Sequence, residues 1–139
     1  MSPQLVEIAP SFTVCGQLLP DHLPGIAAQG FTLVINNRPD GEEEGQPGSA
    51  SVGQALAVHG IDYIHIPVVA GKWTEPSVDA FREALGRAGG GKVLAFCRSG
   101  MRAAAMWVLA AEPEDRADAI EAVSRAKIDL SKMSGLGFV

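Results

Sequence analysis

The chain has 139 residues, enough for one hydrophobic core and too few for two. Hydrophobic residues make up 47% and charged residues 19%, which excludes a disordered chain. The formal net charge of -5 excludes an overall basic field for nucleic acid or an anionic membrane, so any bound anion needs a local device.

Two cysteines cannot build a disulfide framework or, by themselves, a zinc site, so each needs its own account. The opening Met1-Ser2-Pro3-Gln4-Leu5 lacks the basic and apolar blocks of a secretory signal. The longest apolar run, residues 103–111, is about half a membrane span. The expectation is a cytoplasmic protein without a membrane or nucleic-acid partner.

Residues 5–19 have room for one or two short strands around Val14. Residues 20–29 form a helix pattern with Leu23, Ile26 and Ala27 on one face and Gly30 as its stop. Residues 31–36 are a β-branched run that ends in Asn37-Arg38-Pro39-Asp40-Gly41. A small-residue helix over 48–59 stops at Gly60, and a strand over 61–69 follows. Residues 74–88 are the best-defined helix: Thr74 suits the N-cap, Pro76 the first turn, and Val78, Phe81 and Leu85 make a stripe. Residues 92–96 are almost wholly apolar and predict a strand buried on both faces. Helices over 102–111 and 113–126 complete the pattern, the second with Ala119, Ile120 and Val123 inward. Residues 127–139 show no period, so the expected division is a domain over 1–126 and a loosely held tail over 127–139.

Alternating strands and helices imply a single α/β domain of three layers, α/β/α, around a mainly parallel sheet. In such sheets, ligands bind where loops leave the carboxyl ends of the strands. That edge collects residues 37–45, 68–74 and 97–102.

The last of these loops carries the chemistry. Strand 92–96 delivers Cys97 to the edge, and Arg98-Ser99-Gly100-Met101 turns the chain directly into an apolar helix headed by Arg102. Successive backbone N–H groups in such a turn converge on one anion, and the helix N-terminus adds its dipole. Arg102 supplies a planar, permanently charged fork. The expected roles are Cys97 and Arg102 in catalysis, with Arg98, Ser99, Gly100 and Met101 holding substrate. Nucleophilic attack on a small anion through a covalent cysteinyl intermediate is the chemistry such a loop suits. The bland alternative is an inert buried cysteine beside an arginine that caps surface carbonyls.

Cys97-Arg98-Ser99-Gly100-Met101-Arg102 resembles the active-site loop of the bacterial beta-lactamase-hydrolase-like, phosphatase-like domain family. The resemblance extends through Gly16-Gln17-Leu18, Gly30-Phe31, Val34-Ile35-Asn36-Asn37-Arg38-Pro39-Asp40-Gly41-Glu42, Gly60-Ile61-Asp62-Tyr63 and Ile66-Pro67-Val68. It implies a dual-specificity-phosphatase-like fold and a cysteine nucleophile. Members of that family are described both as phosphatases and as sulfurtransferases, and relatives occur fused to sulfur-oxidising metallo-hydrolase domains.

The two reactions ask different things of the loop. Protein-tyrosine-phosphatase relatives carry Cys-x5-Arg, usually with a histidine before the cysteine, and an aspartate that protonates the leaving alcohol. Rhodanese-type sulfurtransferases commonly carry the shorter Cys-x4-Arg. Here the spacing is Cys-x4-Arg and Phe96 precedes the cysteine. A missing acid costs a phosphatase about 10²–10⁴-fold, whereas thiosulfate expels sulfite without help. The 68–76 segment holds no aspartate; Glu75 and Asp40 are the candidate acids, with Glu42, Glu43 and Glu44 read as a solvated acidic face. The favoured expectation is a sulfurtransferase that passes sulfane sulfur from thiosulfate or a persulfide donor through Cys97 to a thiol acceptor. A phosphatase acting on a phosphate ester through phosphocysteine is the alternative, and a non-catalytic anion-binding adaptor the third.

Lys72 and Arg98 are candidate cations for choosing among anionic donors. Cys15 either resolves an oxidised Cys97 or is a small buried hydrophobe, the blander reading. His22, His59 and His65 lack metal-ligand spacing, so no metal and no cofactor are expected. Met106 and Trp107 belong to the core.

Overall fold

The apolar runs pair into one sheet in a computed structural model that describes residues 4–137. Its strands are β1 (Val6–Ala9), β2 (Phe12–Cys15), β3 (Phe31–Asn36), β4 (Asp62–His65) and β5 (Lys92–Phe96), in the order β1-β2-β5-β3-β4. β1 and β2 form an antiparallel hairpin from the segment where the sequence allowed one or two strands. All other pairings are parallel, with β5 between β2 and β3.

β4 is shorter than the 61–69 run. Ile66 and Val68 still donate to the carbonyls of Asn36 and Asn37, at 2.8 and 3.0 Å. Pro67 between them has no N–H to continue the ladder.

The helices are α1 (Leu23–Ala28), α2 (Ser49–Val58), α3 (Glu75–Ala88), α4 (Met101–Ala110) and α5 (Arg116–Arg125). The predicted helices over 20–29 and 113–126 each open with a 3-10 turn, at Pro20–His22 and Pro113–Asp115. Thr74 caps α3 as expected, its hydroxyl accepting from the Ser77 N–H at 3.3 Å.

Strand residues alternate between the two faces of the sheet. Val34, Leu94 and Phe96 meet Leu23 and Ile26 of α1 and Val52 and Leu56 of α2. Leu33, Ile35, Val93 and Ala95 meet Phe81 of α3, Met106 of α4 and Val123 of α5. The layers are α/β/α around a central β5, as the burial of residues 93–96 on both faces requires. Each fully buried side chain of this kind contributes about 1.5–3 kcal/mol. Met106 is core, and Trp107, partly exposed, stacks on Phe12 with ring centroids 5.3 Å apart.

The segment after α5 has no helical period, yet it is held. A 3-10 turn at Leu130–Lys132 puts Leu130 into the core, and Leu136 follows it. The last two residues of the expected tail, 138 and 139, lie outside the described residues. Among the described residues, no helix is long and apolar enough to cross a membrane.

Candidate active site

The sheet ladder carries on past β5 and fixes the base of the loop. The Asn37 N–H donates to the Phe96 carbonyl at 2.8 Å on one side, and the Cys97 N–H to the Cys15 carbonyl at 3.4 Å on the other. Cys97 thus leaves the sheet pinned between β2 and β3, with its side chain fully buried.

Glycines let the loop lie this low. A Cβ on Gly16 would stand 2.9 Å from the Arg98 carbonyl oxygen, a distance that real Cβ contacts do not show. Gly100 has φ +94°, a left-handed conformation that favours glycine, and its backbone approaches the Cys15 carbonyl. The turn aims the Gly100 N–H at the Cys97 sulfur, 3.1 Å away. One residue later α4 starts, and the Ala104 N–H closes its first turn on the Gly100 carbonyl at 3.0 Å.

Arg102 is buried at the head of α4. Its Nη1 donates to the Val68 carbonyl at 2.8 Å, tying the loop after β4 to the cysteine loop. The same nitrogen donates to Glu42 Oε2 at 2.7 Å, and Nη2 to Glu42 Oε1 at 2.9 Å. Arg38, only 2% exposed, reaches the same carboxylate through Nε at 3.0 Å. It also donates to Gln17 and Glu43. Hydrogen bonds from Arg102 hold the Glu42 carboxyl below the usual carboxylate range against the opposing effect of burial, and Arg38 adds to them. Arg102 is in turn held more firmly protonated, first by Glu42.

Glu42 is exposed, as a solvated acidic face requires, but its carboxylate also bridges two buried guanidiniums, a role the acidic-face reading does not include. Arg38 was missed as well. The available signal was its i,i+4 spacing to Glu42 across a Pro-Asp-Gly turn.

A cleft of about 530 Å³ opens above the loop, lined by Glu42, Ala70, Gly71, Arg98, Ser99, Met101 and Arg102, and by Lys132, Met133 and Ser134. The three edge loops meet as the topology required. Arg98, Ser99, Met101 and Arg102 all line the cleft, whereas Gly100 and the fully buried Cys97 do not. Lys72, Asp40 and Glu75 do not line it. Asp40 Oδ1 instead accepts the Ser49 N–H at 2.8 Å and caps α2. Glu75 is exposed in the first turn of α3, where a carboxylate complements the helix dipole.

The far wall, residues 132–134, had no sequence signal. It is built by close backbone approach: the Trp73 indole N–H donates to the Ser134 carbonyl at 2.9 Å, and a Cβ on Gly135 would strike the Gly71 carbonyl.

Cys15 is also buried, and burial, reinforced by the charge of Cys97, pushes its thiol up to about 12. It is a protonated, packed side chain at neutral pH, in line with the blander reading. The His65 ring nitrogen Nε2 lies 2.8 Å from the Arg38 carbonyl, and His22 Nδ1 accepts the Leu19 N–H at 3.0 Å. Among the described residues, no three histidine, cysteine or acidic side chains gather in metal-binding geometry.

A thiol raised on the central strand of a parallel sheet, beneath the N-terminus of the following helix, defines the cysteine-phosphatase-like class of α/β enzymes. Comparison with known proteins makes the assignment narrower. The family described as "Beta-lactamase hydrolase-like protein, phosphatase-like domain" matches residues 4–113, and the chain belongs to it. A beta-lactamase hydrolase-like protein of Agrobacterium fabrum is 41% identical over 104 residues, 75% of this chain. The match spans only 24% of that relative's length. Among solved structures, a phosphatase candidate from Neisseria meningitidis superposes with TM-score 0.74 at 30% identity, covering 90% of this chain and 89% of that one. The active form of Tk-PTP superposes with TM-score 0.71 over 90% of this chain and 85% of its own, at 19% identity, a likeness of fold.

Proposed function

We propose that this domain is a sulfurtransferase in which Cys97 carries sulfane sulfur as a persulfide. The observation that carries this reading is the state of the carboxylates. Among the described residues lining the cleft, Glu42 is the only one, and it is committed to Arg102 and Arg38 with its carboxyl held ionised. A group so held has no proton to give a leaving alkoxide, which a phosphatase needs. Sulfur transfer from thiosulfate needs none.

In the first step the Cys97 thiolate attacks the outer sulfur of thiosulfate. The S–S bond of the donor breaks, its electron pair leaves on sulfite, and Cys97 is left as a persulfide anion. In the second step a thiolate acceptor attacks the terminal sulfur, forms a new persulfide and returns the Cys97 thiolate. Charge balances in both steps, and no oxidant or reductant enters. The Gly100 N–H stabilises the negative sulfur, and Arg102, held by Glu42, adds its positive charge at the head of the helix. The cytoplasm, where small thiols stay reduced, is the compartment that supplies such an acceptor.

The second reading is a phosphatase forming phosphocysteine, favoured by the family description and by the fold of the solved neighbours. A paired assay on wild type and Cys97→Ser separates the two. Sulfur transfer from thiosulfate to cyanide that is lost in Cys97→Ser is the expected result. Release from an aryl phosphate between pH 5 and 8, with cyanide transfer at background, would overturn the proposal. An anion-binding adaptor would behave alike with cysteine or serine.

A further inference from the structure

The cleft is larger than the first substrate requires. Its volume of about 530 Å³ falls within the roughly 300–1,000 Å³ typical of sites for organic ligands, whereas thiosulfate is a small inorganic ion. Lys132, Met133 and Ser134 supply one part of its lining, together with Arg98, Ser99, Met101 and Arg102. Residues 132–134 also lie beyond the stretch that the family description matches, which ends at 113.

This wall is built, not draped. Leu130 and Leu136 on either side of it are 5% and 6% exposed. The Trp73 indole and the tight packing of Gly135 against Gly71 lock its backbone to the loop after β4. A fixed backbone presents its side chains at a reproducible distance from the nucleophile, as a specificity device must.

The chemistry of the enlarged cleft is mixed. Two cations, Arg98 and Lys132, line it together with the apolar Ala70, Met101 and Met133. Arg102 is already matched by Glu42, and Arg98 has only an exposed neighbour, Glu43, at 3.7 Å, an arrangement worth little in water. The ion pairs found among the described residues do not include Lys132. A ligand that fits has a short aliphatic body and a carboxylate for a lysine to meet.

We propose that residues 132–134 form the acceptor subsite, in which Lys132 binds the carboxylate of an anionic low-molecular-weight thiol of about the size and charge of glutathione. This rests on the sulfurtransferase reading for the reaction that follows, though the binding it asserts can be measured without turnover. Lys132 acts by placing the acceptor over the Cys97 persulfide, with Met133 against the acceptor's methylene groups.

The test uses wild type, Lys132→Ala, Lys132→Glu, and Arg87→Glu as a charge control. Arg87 belongs to a hollow with Thr32, Asp62 and Gly91 at the start of the strands, the opposite edge of the sheet. Binding is read by protection of Cys97 from iodoacetamide by S-methylglutathione, which has the carboxylates but no reactive thiol. Turnover is read with thiosulfate as donor and either cyanide or glutathione as acceptor. Protection is expected in wild type and in Arg87→Glu, about threefold or more weaker in Lys132→Ala and weaker again in Lys132→Glu. The KM for glutathione should rise in parallel at nearly constant kcat, and by more than any change in the cyanide reaction. Equal protection in all four proteins, or cyanide and glutathione affected alike, would overturn the subsite. Cyanide transfer absent from wild type would instead overturn the sulfurtransferase reading, and the protection series would still decide the role of Lys132.

Discussion

Glu42 grips Arg102 through both carboxylate oxygens, at 2.7 and 2.9 Å, across sixty residues of sequence. The carboxylate occupies the fork that a substrate oxyanion would otherwise take, and it fixes the guanidinium against the Val68 carbonyl.

Removing that carboxylate leaves two buried guanidiniums short of a counterion. Glu42→Gln should cost about 1 kcal/mol, because the carboxylate keeps 26% of its side-chain surface in solvent, where screening weakens ion pairs, and remain folded within a typical stability of about 5–15 kcal/mol. The pH dependence has a definite sign. Glu42 has a lowered folded value, so its contribution is complete above the unfolded carboxylate range near ~4.3 and fades as pH falls through the folded value. Melting temperatures of wild type and Glu42→Gln should therefore converge as the pH drops below about 4.3; parallel curves would refute the clamp.

Cys15 gives the opposite slope at alkaline pH. Its folded thiol is raised to about 12 while the unfolded thiol ionises near ~8.5. Stability from this group is thus complete below the unfolded value and is lost as pH rises toward the folded one. The loss should approach about 1.4 kcal/mol per pH unit above roughly 9. Denaturant titrations of wild type and Cys15→Ala between pH 8 and 10.5 measure it, and a wild-type slope that survives the substitution would show that another group is responsible. At neutral pH, peptide mapping after alkylation should find the label on Cys97 and not on Cys15.

Gly16→Ala tests the floor of the loop. A methyl group 2.9 Å from the Arg98 carbonyl must push the loop outward. Overpacking of this kind costs about 1–3 kcal/mol, while a displacement near 1 Å can cost about 10²-fold in rate. A large fall in kcat with a small fall in melting temperature is expected. Full activity would mean that the loop does not depend on this contact.

Deleting residues 130–139 should remove two buried leucines, worth about 1.5–3 kcal/mol each, and open one wall of the cleft. Trp73→Phe is the milder form of the experiment. It removes only the indole N–H donated to Ser134, and amide hydrogen exchange across 130–137 should quicken while the sheet stays protected. Unchanged exchange would show that the segment is held by its leucines alone.

The loop from Cys97 to Arg102 was legible because its signals are local: an apolar strand, a glycine and an apolar helix follow one another directly. The helix over 74–88 was legible for the same reason, through its cap and its stripe. Glu42 was not, because a run of glutamates reads as surface until the chain brings Arg102 to it from sixty residues away. Arg38 is a polar residue in a turn-like sequence, and only the convergence of Gln17, Glu42 and Glu43 explains its burial. Residues 130–136 are held by two isolated leucines and a backbone contact, which leave no period to detect.

The seat of Cys97 between β2 and β3 has a consequence for how the protein is made. β2 comes from the first residues of the domain, and its partner β5 is synthesised about eighty residues later. Such non-local pairing bears a loop-closure cost before it is rewarded, and it forms late in folding. Cys97 therefore has no seat until β5 has paired with both β2 and β3.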